Sequence, residues 1–185
     1  MSAELKDKAI EFEHYVTPQW AIDRILEKET LTQHIVDPCC GTGVMTAAAR
    51  KAGYSPIPYD IHDWGFFGTR LKDFLDMDAF PFRNTSVFMN PPFSKAVEFV
   101  EKSIELGAKK IVCFQRFAWF ESKGRQDFWD KHPPQRIYLC GQRATCWRYD
   151  LHEENKDKAG TPTAHAWFVW EKGQHNGTVL DRIYK

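Results

Sequence analysis

Apolar residues recur along the chain in two rhythms. In "TPQWAIDRILEKE", Trp20, Ile22, Ile25 and Leu26 fall at helical spacing, with Thr17 as the expected N-cap and Pro18 at the first helical position. "VMTAAARKAG" (44–53) reads as a helix closed by Gly53. "SKAVEFVEKSIELGA" reads as an amphipathic helix with Val97, Val100, Ile104 and Leu106 near one face and Ser94 as its cap. "SKGRQDFWDKH" reads as a short helix. Between these runs lie compact apolar stretches with strand character: "HIVDP", cut by Pro38, "YSPIPYD", ending at Asp60, "SVFMN", "KKIVCFQR", "QRIYLCG" and "AHAWFVWEKG".

Strands that alternate with helices predict an α/β fold: a parallel sheet with helices on both faces. The last third changes character. Two strands there are joined by a long polar segment, 148–163, which fits an antiparallel strand added to one end of the sheet. A chain of 185 residues is the length of one compact domain, so 1–185 is read as a single unit with 1–16 as an N-terminal lid or extension.

Composition narrows the field. The net charge is zero, which excludes a global pull toward nucleic acid or membrane. No stretch approaches the ~20 apolar residues that span a bilayer, and the charged N-terminus lacks a secretory core, so the expectation is a cytoplasmic protein with no membrane partner. The five cysteines form no CxxC and no metal spacing, and read as reduced, small apolar residues. No metal ligand set is expected.

Two turns carry chemistry. "VDPCCGTG" (36–43) joins a strand to a helix. Gly41 and Gly43 permit positive φ and close backbone approach, and the helix that follows offers free N–H groups. In an open parallel sheet such a turn is where a nucleotide-like ligand binds. The turn is not GxGxxG and lacks a phosphate-loop lysine, which disfavours a phosphate cradle. Asp60, at the end of the next strand, is placed to accept hydrogen bonds from ribose hydroxyls. "DFL" (73–75) suits an adenine ring, with Asp73 for the exocyclic amine and apolar neighbours for the ring faces. Each acid alone is as readily a solvated carboxylate.

The second turn is "NPPF", 90–93. Two prolines end a strand and leave Asn90 and the neighbouring carbonyls without a regular ladder. Together, "DPCCGTG" and "NPPF" resemble the amino-methyltransferases that use S-adenosyl-L-methionine (AdoMet), especially the DNA adenine-N6 group. "YVTP" (15–18) is similar to the N-terminal cofactor motif of that family, in the order found in its gamma-type members. The resemblance spans about 15–170. It implies a Rossmann-like class I methyltransferase fold, a seven-stranded mostly parallel sheet with the last strand antiparallel. It implies a cofactor site built from Tyr15, Thr17 and Pro18, from Asp37, Pro38, Cys39, Gly41 and Gly43, and from Asp60, Ile61, Asp73, Phe74 and Asn90. The catalytic residues it implies are Asn90, Pro91, Pro92 and Phe93. The Asn90 side-chain oxygen and the Pro91 carbonyl would accept the two hydrogens of a base amine, and Phe93 would stack on the flipped base.

A further stretch points at the substrate. Between 109 and 148 there are nine Lys or Arg against three acids, a local balance of +6 in a neutral chain. Arg116, Phe117, Trp119, Lys123 and Arg125 interleave charge with rings, as nucleic acid contact requires, and Trp147 is a further lip residue. DNA is the expected partner, with RNA as the runner-up. The chain has no room for a separate target-recognition domain and so resembles small phage or prophage methyltransferases. Recognition by a homodimer or a separate specificity partner stays open. So do cytosine-N4 transfer, protein glutamine methylation and a nucleic-acid-binding protein without turnover.

Overall fold

The computed structural model describes residues 13–149, 163–173 and 177–185. The chain runs β1 (Tyr15–Val16), α1 (Gln19–Lys28), β2 (His34–Asp37), α2 (Val44–Lys51), β3 (Ser55–Asp60), β4 (Arg70–Leu71) and β5 (Thr85–Met89). It continues with a 3-10 turn (Phe93–Lys95), α3 (Ala96–Glu105), β6 (Lys110–Arg116), two further 3-10 turns (Phe117–Glu121 and Lys123–Arg125) and α4 (Gln126–Lys131). β7 (Arg136–Cys140), β8 (Trp147–Arg148), β9 (His165–Glu171) and β10 (Val179–Ile183) complete it.

Among the described residues the main sheet has eight strands in the order β10-β7-β9-β6-β5-β2-β3-β4. All pairings are parallel except those of β9, which runs antiparallel to both β6 and β7. Two expectations need correction here. The sheet has eight strands where seven were expected, and the antiparallel strand is wedged inside it and not added at one end. The burial pattern supplies the reason. β9 is near-continuously apolar, and six of its seven residues are buried, so it must be covered on both faces and both edges. β10 exposes four of its five residues, and its charged Asp181 and Arg182 suit an edge.

Strand alternation sorts the core into two layers. Ile35, Phe88, Val112, Phe114 and Trp167 face α1 and α2. Val36, Val87, Cys113, Phe168 and Trp170 face α3, α4 and Trp119. Helices therefore cover both faces, as expected. The Trp167 indole donates to the Ala21 carbonyl at 3.1 Å and pins α1 to the sheet.

An ionic cluster closes the amino-terminal end of the sheet. Glu29, 4% exposed, accepts from the Lys110 ammonium at 2.7 Å, the Tyr138 hydroxyl at 2.8 Å and the Arg136 guanidinium. Glu171 takes a second bond from Arg136 at 2.6 Å. Burial alone would push Glu29 upward, but the donors from Arg136, Lys110 and Tyr138 outweigh it and hold its carboxyl below the usual range. Lys110 starts β6, Arg136 starts β7 and Glu171 ends the antiparallel β9, so the cluster lies at the end of the sheet opposite the carboxyl termini of the parallel strands.

Candidate cofactor and amine site

At the carboxyl ends of β2, β3 and β5 the structure holds a cavity of about 290 Å³. The glycine turn forms one wall. Gly41 (φ +52°) and Gly43 (φ +78°) are left-handed, and Gly43 directly precedes α2. A Cβ on Gly41 would lie 2.3 Å from His14 Nε2, and one on Gly43 2.2 Å from the Phe66 ring. Both positions therefore need glycine for conformation and for space.

Asp60 locks this turn. One carboxylate oxygen accepts the Gly41 N–H at 2.9 Å; the other accepts the His62 N–H at 3.0 Å and the Trp64 indole at 3.2 Å. Burial raises its pKa, partly offset by the His62, Gly41 and Trp64 donors. Asp37, 1% exposed, accepts the Thr46 hydroxyl at 2.7 Å, and burial pushes its carboxyl up to about 7. Asp73 spends one oxygen on the Leu75 N–H at 2.9 Å and lines the cavity beside Phe74 and Leu75. Burial also raises the thiols of Cys39, well above the usual range, and of Cys40, to about 12, so both remain neutral. All five cysteines are free thiols.

The opposite wall is a strap. β1 pairs antiparallel with β8, Tyr15 opposite Arg148 and Val16 opposite Trp147, and the Tyr149 N–H donates to the His14 carbonyl at 2.8 Å. His14 lies against Gly41, stacks on Tyr149 at 4.9 Å and meets the edge of Trp64 at 4.3 Å. The strap is tied to the proline turn at three points. Glu13 accepts both the backbone N–H and the hydroxyl of Ser94. Tyr15 stacks on Phe93 with centroids 5.1 Å apart. Asn90 Nδ2 donates to the Tyr15 carbonyl at 3.0 Å and the Thr17 hydroxyl at 2.9 Å.

These contacts settle which way the Asn90 amide faces. A carbonyl only accepts, so the atom against Tyr15 O must be the NH₂. Oδ1 is left without a hydrogen-bond partner among the described residues, on a side chain that lines the cavity. Local expectations fail at the same place. Thr17 does not cap α1; its hydroxyl serves Asn90 and lies 3.7 Å from the Met45 sulfur. Ser94 does not cap α3, because it sits inside the 3-10 turn and bonds Glu13.

The cavity gathers most positions singled out in the sequence: Tyr15, Thr17, Asp37, Pro38, Cys39, Gly41, Asp60, Ile61, Asp73, Phe74, Asn90 and Pro92. Pro18, Gly43, Pro91 and Phe93 lie outside its lining. Gly43 is screened by Phe66, and the Pro91 carbonyl accepts from Gln115 Nε2 at 3.2 Å. Arg116 lies over the Phe93 ring at 4.3 Å, so one face assigned to a stacked base carries a guanidinium.

The remaining substrate positions divide. Trp119 is 4% exposed and packed among Phe128, Trp129 and Phe168, which removes it from the surface. The 3-10 turns fold it back onto the sheet. Arg125 Nε donates to the Trp119 carbonyl at 3.0 Å and braces that turn. Phe117 is half-buried against the same core, and Trp147 belongs to the strap. Arg116 and Lys123 are exposed. Sequence reasoning missed Glu13, Trp64, Met45 and Phe99 as wall residues. No local signal marks them, because they reach the site from four separated stretches of chain: the segment before β1, α2, the loop after β3, and α3.

No family model matches the chain, and no curated protein does. Solved structures do. A provisionally assigned RNA methyltransferase from Pyrococcus horikoshii superposes with a TM-score of 0.59 at 14% identity, over 91% of this chain and 96% of that one. The modification subunit of a provisionally assigned type I restriction enzyme from Vibrio vulnificus gives 0.61 at 12% identity, over 92% of this chain and 47% of that one. An AdoMet-dependent O-methyltransferase from Thermotoga maritima gives 0.55 at 15% identity, over 93% and 72%. The fold is the class I methyltransferase fold. Among the described residues no helix is long and apolar enough to cross a membrane, and no cluster of three His, Cys, Asp or Glu is placed to hold a metal.

Proposed function

We propose that the protein transfers a methyl group from AdoMet to the N6 amine of adenine in DNA. The observation that carries this reading is the Asn90 amide, turned by the Tyr15 carbonyl so that Oδ1, beside the cavity, has no hydrogen-bond partner among the described residues. The cavity residues fit the cofactor. Gly41, left-handed and packed against His14, presents only backbone to the cavity. Asp60 receives three donors, and a carboxylate has about four acceptor positions, which leaves one for a hydroxyl. Asp73 with Phe74, Leu75 and Phe99 offers an acceptor within an apolar slot for a purine. When bound, AdoMet supplies the methyl group as an electrophilic sulfonium.

The protein's part is positioning and electrostatics. An aromatic amine is a weak nucleophile because its lone pair is delocalised into the ring. Asn90 Oδ1 and the Pro91 carbonyl accept its hydrogens and favour the lone pair directed at the methyl carbon. The prolines restrict the backbone between the two acceptors, and the strap holds the Asn90 amide. Asn90 is no base, so the extra proton leaves to water after transfer. Arg116, exposed beside Phe93, and Lys123 supply cationic contacts for the phosphate backbone. The related folds in the RNA methyltransferase and the restriction subunit add a fold-level analogy and nothing finer.

The test is transfer of labelled methyl groups from AdoMet to DNA, RNA and protein pools, followed by nucleoside analysis. N6-methyladenine in DNA, lost in Asn90→Ala while AdoMet binding persists, is the expected result. Label in RNA adenine, cytosine N4 or glutamine would move the substrate class. No AdoMet binding at millimolar concentration would overturn the enzyme reading. Adding a second protein, and measuring the oligomeric state, would show whether specificity needs a partner.

A further inference from the structure

Prolines at 91 and 92 remove two backbone donors from the turn. The Pro92 carbonyl accepts from the Lys95 N–H at 3.0 Å, within the turn, whereas the Pro91 carbonyl is served from outside it. β5 and β6 pair in parallel up to Met89 opposite Cys113. The pairing ends there, and two residues further along each strand a side chain reaches across: Gln115 Nε2 donates to the Pro91 carbonyl at 3.2 Å. Gln115 is 1% exposed, next along β6 after Phe114 and opposite Ala166 of β9. Its amide is oriented without ambiguity, because the Pro91 oxygen can only accept.

We propose that Gln115 is a positioning residue for methyl transfer, setting the direction of the Pro91 carbonyl that accepts one amine hydrogen. This rests on the amine-methylation reading above. A carbonyl has two lone pairs. The Gln115 N–H occupies one, so the other is fixed in direction and free for the substrate. The two acceptors are then held from different sides: Asn90 by the strap, Pro91 by β6. Gln115 makes no contact with the cavity, so its effect is on the reaction and not on cofactor affinity.

The experiment compares wild type, Gln115→Leu and Gln115→Glu by turnover on methylatable nucleic acid and by AdoMet affinity, each across pH. Gln115→Leu loses the donor; turnover falls about tenfold or more while AdoMet Kd stays within about twofold. Gln115→Glu keeps the shape. Protonated, it donates to Pro91; ionised, it repels that carbonyl, and burial places its titration above the usual carboxylate range. The ratio of Gln115→Glu to wild-type turnover therefore rises as pH falls from about 9 to about 6. A purely structural role changes thermal stability and leaves that ratio flat. A flat ratio, or Gln115→Leu turnover within about twofold of wild type, overturns the proposal. If the leucine variant does not fold, the glutamate ratio decides alone. Wild type that methylates no amine defeats the underlying reading; an active wild type with a flat ratio defeats the Gln115 role only.

Discussion

Replacing Asn90 by Asp exchanges one NH₂ for an oxygen and hardly alters shape. In the native protein that NH₂ makes two hydrogen bonds to the strap, at 3.0 Å to the Tyr15 carbonyl and 2.9 Å to the Thr17 hydroxyl. The Thr17 hydroxyl can recover by turning its proton to the new carboxylate; the Tyr15 carbonyl has none to give. Two bonds worth about 0.5–1.5 kcal/mol each are disturbed, and an acceptor is left facing an acceptor, so the cost is about 1–3 kcal/mol. In a chain of 185 residues that lowers Tm by about 2–12 °C. Protonation restores a donor, so the folded-state pKa of Asp at 90 is raised above its unfolded value. Its stabilising contribution is then present below the unfolded pKa and lost as pH rises through the folded one. The gap to wild type widens with pH. Paired thermal melts between about pH 5 and pH 9, with hydrogen exchange of the strap amides, measure this. Equal stability at the alkaline end would mean that the strap does not orient Asn90.

Glu29→Gln should cost about 3 kcal/mol, a Tm drop of about 6–12 °C, because it removes the buried carboxylate that pairs with both Lys110 and Arg136. Since the folded Glu29 pKa is depressed, its contribution is present above the unfolded value and lost as pH falls, so melts of the two proteins should converge in acid while turnover at permissive temperature stays unchanged. Asp37→Asn should flatten stability against pH: the native carboxyl, raised to about 7 by burial, makes wild type lose stability as pH rises from the ordinary carboxylate range through about 7. Urea melts at a series of pH values compare the slopes. Gly41→Ala, at φ +52° and against His14, should cost about 1–3 kcal/mol and weaken AdoMet binding, read by thermal melt and calorimetry; an unchanged melt would mean the turn tolerates a side chain.

The central strands were legible because burial wrote itself into their composition. β2, β5, β6 and β9 are nearly all buried, and the alternation that puts Ile35 on one face and Val36 on the other needs only local residues. β10 was illegible for the opposite reason. Val179, Leu180 and Ile183 are apolar, but four of its five residues are exposed and Asp181 and Arg182 break the run, so neither alternation nor a buried stretch marks it. Trp119 misled because its 3-10 turns have neither strand nor helix period, and a ring among cations reads as surface until its partners Phe128 and Phe168 are known. The glycine turn, the acids and the Asn-Pro-Pro turn were legible as motifs, since each needs unusual backbone or a polar group at a strand end.

What the motifs could not carry is the orientation of their atoms. The bond that turns Asn90 spans 75 residues, and its acceptor is a backbone carbonyl, a group every residue has. No side-chain identity at position 15 announces it. The pairing with β8 that holds Tyr15 in place is equally non-local. The same contact links two parts of the proposed function that the motifs present as separate. The strap lines the cavity and holds the Asn90 amide, so a strap that opened would release Asn90 from the Tyr15 carbonyl and the Thr17 hydroxyl. On the amine-methylation reading, closure over the cofactor and alignment of Oδ1 would then be one event, and the acceptor would face the substrate amine only with the cavity shut.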